Sequence, residues 1–204
     1  MMKFRIHPVL LPVFIGLAFT GGLSLYAILF TSLLFHEFGH LLAAKFVGMT
    51  VRSCTIMPYG GEIQIKDRHL ATTPARLAVA LGGPTATALL LCAALLFKFP
   101  ASEEVIRIQM ALLAVNLLPI LPLDGGQVLS ALTRIGGEGV RMRTVLIVHS
   151  ICFLFAAILI LSAGLPKTLP YILLALFLLI QNISVFRFRK YEAAYLNLKL
   201  KRLT

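Results

Sequence analysis

Charge is scarce in this chain, and acidic charge scarcest of all. Only 13% of the 204 residues are charged, eight of them are acidic, and tryptophan is absent. Ordinary soluble domains carry about 25% charged and about 45–50% apolar residues, whereas 59% of this chain is hydrophobic and its mean hydropathy is +0.92. A soluble globular domain is excluded, and a polytopic membrane protein takes its place. Cysteine is also rare: Cys54, Cys92 and Cys152 show no C-x-x-C spacing, which argues against a disulfide framework and a cysteine zinc site. The shortage of acid leaves a net charge of +11. In a soluble chain that would point to nucleic acid; in a membrane chain basic cytosolic loops account for it, and no direct nucleic-acid contact is expected.

What the chain does have is long apolar runs, and one of them is interrupted by chemistry. Between Leu23 and Val47 stands His36-Glu37-Phe38-Gly39-His40. On a helix the two histidines lie one turn apart on one face, about 40° apart around the axis and roughly 6 Å along it, which suits two imidazoles sharing one zinc ion. Glu37 projects beside them, where a carboxylate can take a proton from a water held by the metal. Such a pattern also arises by chance on soluble helices. Within an apolar span, however, unpartnered ionisable residues are costly, and a functional site is the default reading.

The remaining segments follow in order. Lys3 and Arg5 precede an apolar run over 8–20, which resembles a signal peptide as well as a short span; the tight Gly21-Gly22 link and the hydrophobic segments beyond favour the span. After Gly48 the pattern turns β-like over Val51–Ile56 and Glu62–Ile65, with Met57-Pro58-Tyr59-Gly60-Gly61 as the turn. A two-stranded ribbon at the membrane face is expected. It is either an ordinary connection or an edge that captures an extended substrate segment by strand addition, and both readings stand. Spans over 77–99 and 105–123 come next, the first holding Gly82-Gly83-Pro84, which either kinks the helix or admits another backbone.

Two prolines in Asn116-Leu117-Leu118-Pro119-Ile120-Leu121-Pro122-Leu123-Asp124-Gly125-Gly126 cannot continue a regular helix, so this break belongs where it lines a cavity. Asp124 is the natural third zinc ligand, leaving one position open for water. Capping a helix that starts near Gln127 is its other role, and the two are compatible. Asn116 either donates to a substrate carbonyl or its developing oxyanion, or satisfies the broken backbone. Asn116, Pro119 and the ribbon residues Gly60, Gly61, Glu62 and Ile63 are the expected substrate contacts.

Spans over 144–165 and 169–186 complete the set. Within them His149 is expected at a helix interface, and Gln181 and Asn182 are expected to bond neighbouring helices. Residues 187–204 form a basic amphipathic juxtamembrane helix suited to anionic lipid. The expected fold is therefore an all-α polytopic membrane protein of about six transmembrane helices, with a small membrane-associated β-hairpin after the second. Residues 1–186 form the membrane domain. With this topology only Lys98, Arg107 and Lys167 among nineteen basic residues fall on the side opposite the termini, so both termini are expected to be cytosolic.

The paired motifs, His36-Glu37-Phe38-Gly39-His40 and Asn116-Leu117-Leu118-Pro119…Leu123-Asp124-Gly125-Gly126, resemble the site-2 protease family of intramembrane zinc metalloproteases. The resemblance spans nearly the whole chain and, with Pro58-Tyr59-Gly60-Gly61, is strongest to the sporulation members. It implies one zinc ion on His36, His40 and Asp124, Glu37 as the group that activates water, and Asn116 as a substrate-positioning residue. It also implies cleavage of a membrane-tethered precursor, the pro-sequence of a sporulation sigma factor, in the bacterial inner or forespore-surrounding membrane. Membrane-embedded inhibitory partners and a cytosolic ATP-sensing module of the cystathionine-β-synthase type belong to the same expectation, and the 204 residues contain no such module. A divalent-metal membrane transporter is the alternative, since some place the same motif in a membrane helix, but a second ligand-bearing helix and a histidine-rich loop are lacking. A scaffold with a vestigial site would tolerate replacement of Glu37.

Overall fold

The computed structural model describes residues 3–57, 60–66, 71–97, 99–133 and 139–201. The turn residues Pro58 and Tyr59 lie outside them. Two compact units divide the chain at Leu117/Leu118.

The first unit opens with a short strand, β1 (Lys3–Ile6), then α1 (Leu10–Thr20) and α2 (Leu23–Phe46). Gly21 and Gly48, at φ +74° and +73°, end α1 and follow α2, taking the left-handed conformation that glycine adopts without steric cost. Strands β2 (Val51–Met57) and β3 (Gly60–Ile65) follow, then α3 (Thr73–Leu96) and α4 (Ser102–Asn116). Pro74 sits in the first turn of α3, where its missing N–H is no loss.

Helix α2 packs against both α3 and α4. At its crossing with α3 the backbones nearly touch: a Cβ on Gly82 would lie 2.6 Å from the Gly39 carbonyl oxygen. The Gly82-Gly83-Pro84 run thus admits a neighbouring backbone, one of its two expected roles. A buried hydrogen bond ties α4 to α2, the Gln109 amide donating to Ser32 Oγ at 2.7 Å.

The ribbon is larger than the sequence suggested. β2 and β3 pair antiparallel as expected, with Cys54 opposite Ile63 and Ile56 opposite Gly61, but β1 adds a third strand parallel to β2, Phe4 opposite Cys54. The order β1-β2-β3 leaves the outer edge of β3 without a strand neighbour among the described residues. Both β2 and β3 contact α2.

In the second unit, α5 (Asp124–Leu132), α6 (Gly139–Ser162) and α7 (Leu169–Lys201) are helical, and Ile120, Leu154, Ala175 and Leu178 form a small apolar core. Asp124 is the first residue of α5 and Leu123 its N-cap, so Asp124 does not cap a helix beginning near Gln127. The helix starts three residues earlier than expected: Gly125 and Gly126, poor helix formers, lie inside it rather than before it. A Cβ on Gly126 would lie 2.5 Å from the Ile120 carbonyl, so the glycine lets the preceding turn fold back onto the helix.

Among the described residues, four helices are long and apolar enough to cross a membrane, Leu23–Phe46, Thr73–Leu96, Arg143–Ser162 and Leu169–Phe188. Many of their large apolar side chains are exposed, as lipid-facing surfaces require. This is an integral, mostly helical membrane protein. The expected fourth span over 105–123 is a helix of 15 residues that stops at Asn116, and α1 has only 11 residues, so neither meets the same length. His149, expected at a helix interface, is exposed on α6 beside the Phe153 ring.

Candidate metal centre

His36, Glu37 and His40 lie on one continuous helix, as their spacing predicts. The imidazoles are fixed from outside by a single stretch of α3. His40 Nδ1 is 2.7 Å from the Val79 carbonyl oxygen. A carbonyl only accepts, so this nitrogen carries a proton; the Gly83 N–H, 3.3 Å away, is a weaker competitor for it. His36 Nδ1 lies 2.8 Å from Thr87 Oγ1, whose hydroxyl donates to the Gly83 carbonyl at 3.1 Å. With its hydrogen committed there, Thr87 accepts, and His36 Nδ1 is protonated too.

The Nε2 atoms therefore carry lone pairs, and they face each other at 3.2 Å. Two lone pairs so close repel unless a cation lies between them, and neutral imidazole nitrogens are ordinary zinc ligands with Zn–N near 2.0–2.1 Å. Outer hydrogen bonds on both Nδ1 atoms are what such ligands require. Gly83 completes the seat, since a Cβ there would lie 2.5 Å from His36 Nε2 and closer still to His40 Nε2. The residues fit a zinc ion.

One consequence tests the seat directly. Thr87→Val keeps the shape and removes the acceptor, and zinc affinity measured by chelator competition is expected to fall about 10–100-fold. Thr87→Ser, which keeps the hydroxyl, is expected to remain near the native affinity. Equal affinities in the Val and Ser variants would remove Thr87 from the site.

Glu37 lies under the sheet. A Cβ on Gly61 would come within 3.2 Å of its Cβ and Cγ, so β3 rests on this side chain where it carries none of its own. Cys54 and Ile63, cross-strand partners, share the Gly61 face of the sheet. Burial pushes the Cys54 thiol up from its ordinary pKa, and the Glu37 carboxylate adds to the rise.

Of the other residues singled out from the sequence, Gly60 pairs with Met57 and Glu62 with Thr55 along the ribbon. Asn116 is the last residue of α4, half-buried. Pro119, exposed, stands in the turn before α5, and Asp124 is buried at its start. Sequence reasoning missed Val79, Gly83 as the floor of the site, and Thr87. Their four-residue spacing on one helix was visible, but nothing local ties it to His36 and His40, some forty or fifty residues earlier.

Residues 24–104 match the family model described as Peptidase family M50. Over 137 residues the chain is 29% identical to stage IV sporulation protein FB of Bacillus subtilis, covering 63% of this chain and 46% of that protein. It is 33% identical over 120 residues to a putative zinc metalloprotease of Synechocystis, covering 54% of this chain and 31% of the relative. A zinc metalloprotease of Methanocaldococcus jannaschii is 24% identical over 186 residues, 87% of this chain and 53% of that protein. The chain thus spans about half the length, or less, of these relatives. The solved site-2 protease from Methanocaldococcus jannaschii superposes with a TM-score of 0.64 over 91% of both chains at 22% identity, which shows a shared fold. The resemblance to the site-2 proteases is borne out, and two of these relatives are named as zinc metalloproteases.

Proposed function

We propose that this chain, similar to peptidase family M50 and sharing the site-2 protease fold, is an intramembrane zinc endopeptidase that cleaves a membrane-tethered precursor. The observation that carries the reading is the pair of Nε2 atoms 3.2 Å apart beside a glutamate covered by a β-strand. On the resemblance to the site-2 proteases, His36, His40 and Asp124 would hold one zinc ion. When bound, zinc supplies Lewis acidity, lowering the pKa of water to about 7 and polarising a carbonyl. Glu37 takes the proton of the attacking water and returns it to the leaving amine. Asn116 donates to the scissile carbonyl as negative charge develops on its oxygen.

A helical substrate hides its carbonyls in its own hydrogen bonds and must unwind before attack. The outer edge of β3, lying over Glu37, suits that task. An extended segment adding to it along Gly60–Ile63 would satisfy its backbone and bring its carbonyl to the glutamate. Two of the relatives are named as zinc metalloproteases, and no comparison favours the metal-transporter reading.

By analogy with the sporulation relative, the substrate is the pro-sequence of a sporulation sigma factor. Membrane-embedded partners would restrain the enzyme, and the basic segment 187–204 would lie on anionic lipid. On this reading residues 1–186 are the protease domain with six membrane crossings, α1 and α4 being the short ones, and the basic residues keep both termini cytosolic.

Co-expression with an epitope-tagged pro-sigma precursor tests substrate and activity together. A shortened product that depends on the chain is the expected result, and an intact precursor would overturn this substrate. For the ligand set, Asp124→Ala is expected to weaken zinc binding by more than about tenfold, since even outer-shell changes cost that much. Unchanged zinc affinity would remove Asp124 from the set.

A further inference from the structure

The turn between α4 and α5 carries backbone groups that no helix satisfies, in an environment where unsatisfied groups are costly. Most find partners nearby. Ile120 N–H donates to the Leu118 carbonyl at 2.7 Å, Leu123 N–H to Ile120 at 2.9 Å, and the Gln127 side-chain amide to Pro122 at 2.8 Å. Pro119 and Pro122 have no N–H to place. Leu121 is different, because both of its backbone groups are met by side chains from other helices.

Its N–H donates to Ser150 Oγ on α6 at 3.1 Å, and Ser150 in turn donates to the Leu146 carbonyl at 2.8 Å. Its carbonyl accepts from the Asn182 amide on α7, which also donates to the Leu178 carbonyl at 2.9 Å. Ser150 and Asn182 are 0% and 1% exposed. Each helix therefore places a fully buried polar side chain on the same residue, three positions before Asp124.

We propose that Ser150 and Asn182 are positioning residues for the metal centre: a clamp from two helices fixes Leu121, and through it the start of α5 and the Asp124 carboxylate. The clamp explains why polar residues stand in otherwise apolar helices where alanine would pack without them. A metal ligand needs an orientation held by its surroundings, and a carboxylate at the end of an irregular turn has none of its own. This inference rests on the reading of Asp124 as a zinc ligand, and the experiment separates the two.

Zinc affinity is measured by chelator competition on the detergent-purified chain for Ser150→Ala and Asn182→Ala, each alone and combined with Asp124→Ala. Alone, each is expected to weaken zinc about 10–100-fold; combined with Asp124→Ala, neither is expected to weaken it by more than about twofold further, because the group they position is gone. Single variants at the native affinity would overturn the clamp, as would equal losses with and without Asp124, which a merely structural role produces. Should Asp124→Ala itself leave zinc affinity unchanged, the ligand assignment fails, and the clamp's purpose with it. Ser150→Thr and Ser150→Val guard against misfolding, being alike in shape and different only in the hydroxyl. Thr is expected to retain affinity where Val loses it, and identical behaviour of the two would overturn the role of the hydroxyl.

Discussion

Replacing Glu37 by glutamine is expected to abolish precursor cleavage while leaving zinc in place. The substitution keeps the length and shape of the side chain under β3, so the Gly61 contact and the helix survive. It removes the one property the reaction needs, since an amide does not accept a proton from water at neutral pH. General base catalysis by a positioned side chain contributes about 10²–10⁴-fold, and here the same group must also protonate the leaving amine, which puts the expected loss at or beyond the upper end. His36 and His40 are held from α3 rather than through Glu37, so zinc content should equal that of the native chain. Cleavage rates on a co-expressed precursor, with zinc determined on both proteins, check this. Undiminished processing by the variant would sink the mechanism, and coordinate loss of zinc would show that Glu37 supports the metal rather than the proton.

The ingredients of this site were unequally legible. His36, Glu37 and His40 could be placed in advance because helical spacing alone brings them to one face, and the apolar setting gave their ionisable groups a reason to be there. The antiparallel ribbon was equally open, with β-branched and apolar residues on either side of a Pro-Tyr-Gly-Gly turn. β1 was not. Lys3-Phe4-Arg5-Ile6 does alternate, but four residues beside a hydrophobic run resemble the flanking charge of a span, and the pairing that makes them a strand is with residues fifty positions away. The early start of α5 was hidden by its glycines, whose low helix propensity yields to the close approach of the Ile120 backbone. The partners of His36 and His40 were hidden for the reason β1 was: Val79 and Thr87 look like ordinary residues of an apolar helix until α2 crosses it.

That crossing makes Gly83→Ala the second large effect. By local preference the change should help, since alanine in a helix interior is favoured over glycine by about 1 kcal/mol. The surroundings reverse the sign. Val79, Gly83 and Thr87 stand at four-residue intervals on α3, so the outer two hold the imidazoles by their Nδ1 atoms and the middle one faces their Nε2 atoms. The new methyl group would sit 2.5 Å from His36 Nε2, about 1 Å inside ordinary contact. The rings cannot retreat by that distance and keep their hydrogen bonds to Thr87 and Val79, because those bonds come from the same helix as the methyl group. Either the seat is lost or the helices part, and parting is opposed by the Gly39–Gly82 contact that draws them together. Loss of zinc and of cleavage is therefore expected, with helix content by circular dichroism retained. Gly16→Ala in α1, where a Cβ would meet nothing within 4 Å, is the matched control and should keep both. If Gly83→Ala bound zinc within twofold of the native affinity, the imidazoles would have to be free to move, and the argument that α3 presents them to the metal would fail.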